Sequence, residues 1–142
     1  LDSSNGDTII FAPSLAGQTI RLQSTLTVDK NITIDASALS EKVILSGDSD
    51  NDGDGDILIM NIFLSKHLTI SNLTFTKGSS SSGTNPGAIE NLGHLEIFNS
   101  IFISNSGVQG GSIRNSQYLL VENSSFTNNI GNGGGAILNN TG

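Results

Sequence analysis

The 142-residue sequence contains no cysteine and no tryptophan, and aromatic residues make up only 5% of it. Without cysteine, a disulfide framework and thiolate metal or redox centres are excluded. No apolar run approaches the roughly 18 residues that a membrane-spanning helix needs, and the first residues do not form an export signal. We therefore expect no membrane span, and if the protein is exported, Leu1 follows a removed segment.

Basic residues are also scarce. Six lysines and arginines face thirteen aspartates and glutamates, which gives a formal net charge of −7. The few basic residues are widely spaced and form no stripe that could neutralise a row of phosphates. We expect no nucleic-acid partner.

A 24-residue repeat dominates the second half of the chain. The five-residue segments 87–91, 111–115 and 135–139 match one another at intervals of 24 residues, and Phe102 and Phe126 repeat in step. Such a period is typical of solenoids, in which each unit buries its apolar face only by stacking on the next. Three extra residues, which lie within 78–86, lengthen one repeat at a corner.

Each repeat contains three short runs of alternating apolar residues separated by Gly, Asn or Ser. This pattern predicts an all-β fold, a right-handed parallel β-helix of about six coils of ~24 residues with three strands per coil. We expect a single domain over residues 1–142, with irregular coils over 1–65 and regular repeats over 66–142. We expect the chain to be a segment of a longer protein or a subunit that assembles.

Repeated residues should stack in columns along such a solenoid, because equivalent positions on neighbouring coils lie ~4.8 Å apart. We predict two asparagine ladders and one aromatic column, formed by Asn91, Asn115 and Asn139, by Asn72, Asn99 and Asn123, and by Phe75, Phe102 and Phe126. The first ladder is also predicted to adopt the left-handed backbone that asparagine tolerates. His67, His94 and Tyr118 align as a further column, which we interpret as cover for an edge.

Four apolar residues alternate away from the predicted core. They are Phe98, Ile101, Ile103 and Leu120. Such residues could form an exposed patch for a partner, although a register shift of one residue would bury them instead.

The negative charge is concentrated in one acidic loop, residues 47–56. Its aspartates are Asp48, Asp50, Asp52, Asp54 and Asp56. Carboxylates at loop positions 1, 3, 5 and 9 with glycine at position 6 match the opening of an EF-hand-type loop, which predicts a calcium site. Ile59 stands at position 12, where the bidentate glutamate belongs, so the predicted affinity is weak. The alternative is a solvated acidic turn without a cation.

The repeats resemble a known class of proteins. Residues 134–137 with 126–129, and residues 102–105, resemble the GGA(I/L/V) and FxxN repeats of chlamydial polymorphic outer-membrane proteins. The wider likeness is to right-handed parallel β-helix surface and secreted proteins of bacteria with the pectate-lyase-like architecture. The resemblance implies an exported protein, located outside the cell or at its surface.

These features favour a non-catalytic, calcium-stabilised structural or adhesive stalk. Its partners would be adjoining coils, other copies of itself, or a host or matrix glycan or protein. One alternative is a self-assembling filament subunit, and another is a β-helix that binds or cleaves carbohydrate. No nucleophile, base and orienting group can be assembled from the sequence, and Glu90 and Arg114, one coil apart, are interpreted as a weak cross-strand ion pair.

Overall fold

The computed structural model describes residues 4–81 and 83–140 and shows a parallel β-solenoid. Three sheets, each of five parallel strands, form its sides. Sheet A contains β1 (Asp7–Ile10), β4 (Ile32–Asp35), β7 (His67–Ser71), β10 (His94–Phe98) and β14 (Tyr118–Glu122). Sheet B contains β2 (Thr19–Arg21), β5 (Val43–Ser46), β8 (Leu73–Thr76), β11 (Ile101–Ile103) and β15 (Ser125–Thr127). Sheet C contains β3 (Leu26–Val28), β6 (Met60–Ile62), β9 (Ile89–Asn91), β13 (Ile113–Asn115) and β17 (Ile137–Asn139).

The prediction of an all-β solenoid with three strands per coil is confirmed. Two short strands, β12 (Ser106–Gly107) and β16 (Ile130–Gly131), add a fourth side to the last coils. A 3-10 turn over Pro13–Leu15 interrupts the first coil.

The solenoid has about five turns, since each main sheet holds five stacked strands, and not the predicted six. The difference arises in the early coils. Ile113 pairs with Ile137, one period of 24 residues later, whereas Ile32 pairs with Leu68. The latter coil is longer because it contains the acidic loop, and the coil that pairs Met60 with Ile89 contains the predicted insertion. Within residues 78–86, Ser82 lies outside the described residues.

The interior consists of stacked apolar columns. Phe75, Phe102 and Phe126 lie at equivalent positions of sheet B, with ring centroids 4.7 and 4.8 Å apart and ring planes tilted by only 5° and 7°. The predicted aromatic column is therefore confirmed. Ile89, Ile113 and Ile137 form an aliphatic column in sheet C in the same way. Burial of these side chains is the main favourable term that holds successive coils together.

The first asparagine ladder is present. The Nδ2 of Asn91 donates to the Oδ1 of Asn115 at 2.6 Å, and the Nδ2 of Asn115 donates to the Oδ1 of Asn139 at 2.8 Å. The prediction that this ladder adopts a left-handed backbone is wrong, because none of the three has a positive φ. Its amides instead bind the backbone two residues on, as in the bond from the Gly93 N–H to Asn91.

The left-handed backbone belongs to the second predicted group. Asn72, Asn99 and Asn123 have φ values of 61°, 50° and 51° and turn the chain from sheet A into sheet B. Within residues 4–81 and 83–140, no side-chain hydrogen bond joins these three to one another. The Asn72 side chain binds the Ala36 carbonyl and the Lys42 ammonium instead. This group is a backbone stack and not an amide ladder.

A further ladder, which the analysis of spacing did not predict, joins sheet B to the fourth side. The Nδ2 of Asn105 donates to the Oδ1 of Asn129 at 3.1 Å, and these side chains also donate to the carbonyls of Phe75 and Phe102, respectively. One coil earlier, Gly78 occupies the corresponding place, and its own N–H donates to Asn105. In the sequence, Asn105 and Asn129 are the asparagines of the two FxxN repeats, and this repeat could have predicted the ladder.

Candidate functional site

The acidic loop is closed at its base. The Gly47 carbonyl accepts hydrogen bonds from the N–H groups of Asp56 and Ile57, at 3.0 and 3.3 Å, so the two ends of the loop meet. A Cβ on either Gly47 or Gly55 would collide with the carbonyl oxygen of Lys77 on the next coil. The loop therefore lies tightly against that coil, which fixes the position of the carboxylates it carries.

Asp48 is the buried member of the loop. It is only 2% exposed, and its Oδ2 forms an ion pair with the Nζ of Lys77 at 2.9 Å. Its Oδ1 is buried and has no hydrogen bond of good geometry within the described residues, although the N–H groups of Asn51 and Gly53 lie close enough to help lower the pKa of this carboxyl. One carboxylate oxygen each from Asp48, Asp50 and Asp56 lies within 4.8 Å of the other two. The fold therefore groups three of the five predicted metal ligands.

The other two predicted ligands, Asp52 and Asp54, are not in this group. They are exposed and form short turns, in which the N–H of Asp52 donates to Asp50 and the N–H of Asp54 donates to Asp52. Ile59, at the position of the missing glutamate, is fully buried in the core. The loop thus departs from EF-hand geometry at its C-terminal half.

Hydrogen bonds hold two of the grouped carboxylates in their charged form. The hydrogen bond from Lys77, with its positive charge, lowers the pKa of Asp48 despite burial. Hydrogen bonds from the hydroxyl and the N–H of Ser49, each 2.7 Å, lower the pKa of Asp56. Two ionised carboxylates near a third are a good environment for a hard cation that prefers oxygen ligands.

The Glu90 and Arg114 pair is present but differs from the weak exposed pair that the sequence predicted. The Nη1 of Arg114 donates to the Oε1 of Glu90 at 2.7 Å, and Glu90 is only 5% exposed. Burial raises the pKa of Glu90, and Arg114 opposes that rise. The Oε2 of Glu90 and the Nε of Arg114 are buried and have no partner within the described residues. The pair is therefore largely removed from solvent, although its two residues are neighbours on adjacent strands of sheet C.

The predicted column of rings lies on the outer face of sheet A. The ring centroids of His67 and His94 are 4.1 Å apart, and those of His94 and Tyr118 are 4.0 Å apart with a 22° tilt. The column borders a shallow groove of about 310 Å³, whose walls include Asn31 and Gln117.

The structure adds Glu96 to this column, which the sequence analysis did not. Its Oε1 lies 3.1 Å from the Nε2 of His94, and its Oε2 lies 3.5 Å from the Nε2 of His67. The hydrogen bond to His94 is the main cause of a lowered pKa of Glu96. The spacing of His94 and Glu96 in the sequence could have predicted this contact, since residues two apart share one face of a strand.

The predicted apolar patch alternates outward but is not strongly exposed. All four of its residues, Phe98, Ile101, Ile103 and Leu120, are partly buried. Phe98 and Leu120 lie in sheet A, whereas Ile101 and Ile103 lie in sheet B.

Comparison with protein-family models, with curated proteins and with solved structures gave no match. Across residues 4–81 and 83–140, the structure has no helix with the length and apolarity needed to cross a membrane. The structure itself therefore establishes the fold, which is a parallel β-solenoid.

Proposed function

We propose that this chain is a structural stalk segment of an exported bacterial surface protein and that calcium stabilises it at the acidic loop. The bacterial and extracellular parts of the proposal rest on the resemblance of the repeats. The calcium part rests on one observation, the buried Oδ1 of Asp48, which lacks a hydrogen bond of good geometry within the described residues, beside the carboxylates of Asp50 and Asp56.

A stalk must resist bending and unfolding along its length. Stacked phenylalanine rings and bonded asparagine amides run from coil to coil, parallel to the axis of the solenoid. In the last three coils, ring packing and side-chain hydrogen bonds thereby add to the strand pairing that joins neighbouring coils. This continuity is what a mechanical role requires, and it supports a structural function.

Calcium fits the acidic loop by charge and by ligand type. Ca²⁺ takes six to eight oxygen ligands, and three carboxylates with backbone carbonyls and water can supply them. Lys77 neutralises one oxygen of Asp48 and leaves the other for the ion. Because the glutamate of an EF-hand is absent, we expect a dissociation constant of the extracellular class, on the order of 10⁻⁴ to 10⁻³ M.

The cation would act by tying the loop to the body of the solenoid. Asp48 follows β5, Asp56 precedes the return of the chain to sheet C, and Lys77 belongs to the next coil. An ion bound by Asp48 and Asp56 would therefore link two ends of the loop that already meet at Gly47. It would also relieve the repulsion among the three carboxylates.

The test is thermal unfolding followed by circular dichroism, with increasing calcium or with chelator. At calcium ten times above its dissociation constant, we expect about 1.4 kcal/mol of added stability. The double variant Asp50→Asn with Asp56→Asn should lose this response, and the matched control Asp52→Asn with Asp54→Asn should keep most of it. Calcium-independent melting of the natural sequence, or equal loss in both variants, would refute the proposed site.

A further inference from the structure

We propose that His67, His94 and Glu96 form a binding site for a divalent transition metal of the zinc class. The three side chains converge on the outer face of sheet A, whereas the acidic loop connects sheet B to sheet C. This site offers imidazole nitrogens and one carboxylate, and the acidic loop offers carboxylates alone. The inference does not depend on the proposed function.

The parallel register brings the three residues together. His67 and His94 are paired partners on neighbouring strands, β7 and β10, so their side chains leave the sheet side by side. Glu96 lies two residues beyond His94 on the same strand and therefore on the same face. Its own partner in β7 is Thr69, which completes a square of side chains on two strands.

The distances from each histidine to the Glu96 carboxylate are close to the spacing of neighbouring ligand atoms around a metal ion. Zinc binds histidine nitrogen and carboxylate oxygen at about 2.0 to 2.2 Å, so adjacent ligand atoms of a tetrahedral site lie about 3.3 Å apart. The carboxylate oxygens of Glu96 lie 3.5 Å from the Nε2 of His67 and 3.1 Å from the Nε2 of His94. One ligand atom from each of the three residues lies within 4.8 Å of the other two. Small side-chain movements are enough to bring all three to a common ion.

Neighbouring side chains orient the ligands. Tyr118 stacks on the His94 ring, which restricts its rotation. The Oγ1 of Thr69 lies 3.4 Å from the Oε2 of Glu96 and 3.5 Å from the Nε2 of His67. Contacts of this kind, outside the ligands themselves, set ligand direction and contribute to metal affinity.

The site is open to solvent on the side of the groove. The side chains of His67 and His94 are 44% and 39% exposed and border the groove of about 310 Å³. Water or a small anionic ligand can therefore complete the coordination of an ion held by three protein ligands. Two imidazoles with one carboxylate favour zinc, copper or nickel over calcium, which prefers oxygen ligands alone.

The two histidines of this site are the only histidines in the chain, and cysteine is absent. Any binding of zinc through imidazole must therefore involve His67 or His94. The experiment is a zinc titration of untagged protein, saturated with calcium, by calorimetry and by NMR of the imidazole resonances. We expect one zinc per chain and simultaneous shifts of both imidazoles.

The variants separate this site from the acidic loop. We expect Glu96→Gln to weaken zinc binding at least tenfold and the double variant His67→Gln with His94→Gln to abolish it. Asp50→Asn with Asp56→Asn should leave zinc affinity unchanged within about twofold, whatever it does to calcium. Unfolding curves in the absence of zinc establish that each variant is folded. Unshifted imidazoles, or zinc binding that survives the double histidine variant, would overturn the proposal.

Discussion

Removal of the Arg114 guanidinium should destabilise the solenoid much more than the loss of a surface ion pair would. Exposed pairs contribute roughly 0.2 to 1 kcal/mol, whereas leaving one member of a buried pair without its partner costs about 3 to 5 kcal/mol. Glu90 is 5% exposed and the Arg114 side chain 18% exposed, so the pair belongs to the buried class near its lower limit. For Arg114→Met we expect a loss of about 3 kcal/mol at pH 7.

The same variant carries a pH signature that a simple packing defect lacks. Burial already raises the pKa of Glu90, and removal of Arg114 takes away the charge that opposes this rise. A group whose pKa is raised in the folded state binds its proton more tightly there than in the unfolded chain. The stability of the variant should therefore recover as the pH falls from 7 towards 5, by up to about 1.4 kcal/mol per pH unit.

The assay is urea unfolding followed by circular dichroism at pH 7 and at pH 5. Arg21→Met is the matched control, since Arg21 is exposed on β2 and should change stability by no more than about 0.5 kcal/mol. Glu90→Gln with Arg114→Met should be more stable at pH 7 than Arg114→Met alone, because it removes the isolated charge. A loss below about 1 kcal/mol, or an equal loss at both pH values, would refute the reasoning.

Three other predictions concern the corners and the acidic loop, and two of them have a matched control variant. Gly111→Ala should cost more than about 2 kcal/mol in urea unfolding, because its Cβ would meet the backbone of Gly135 and Ile130, whereas Gly135→Ala has room and should be nearly neutral. Asn115→Ala removes the centre of the first ladder and should cost about 2 to 3 kcal/mol by the same measurement, in contrast to the exposed Asn132→Ala. Lys77→Met should reduce the loss of stability as the pH falls below the unfolded pKa of 3.8. Ionised Asp48 stabilises the fold above that pH, and this contribution is lost as the pH falls through the lowered pKa of the folded state. An unchanged acid profile in Lys77→Met would contradict the role given to that ion pair.

The sequence predicted the fold where its period is constant. With 24 residues between Phe102 and Phe126, each coil returns to the same point, so spacing alone determines which residues stack. The confirmed aromatic column and the first asparagine ladder both follow from this. The number of turns did not follow, because the acidic loop and the corner insertion lengthen two coils without adding strands to any of the three main sheets.

Chemistry at the candidate sites was harder to predict than the stacking. The alternating aspartates identified the acidic loop, but nothing in their spacing distinguished buried Asp48 from exposed Asp52. That difference depends on how the loop lies against Lys77, which comes from another coil. The backbone at the first ladder was mispredicted for a related reason. Asparagine can adopt the left-handed backbone of a turn, or its side-chain amide can form hydrogen bonds to the next coil. The local path of the backbone decides which of the two occurs.

In a solenoid, equivalent residues of neighbouring coils lie side by side on the same sheet. Two such residues, together with a third that lies two positions further along one of the strands, are enough to bring three side chains together. His67, His94 and Glu96 occupy such positions, and equivalent places one coil further hold Tyr118 and Leu120. The proposed metal ligands therefore do not continue into the next coil, because the side chains at these positions change there although the backbone keeps the same path. For a regular repeat, the identity of side chains in each outer column, more than the course of the chain, determines where a ligand can bind.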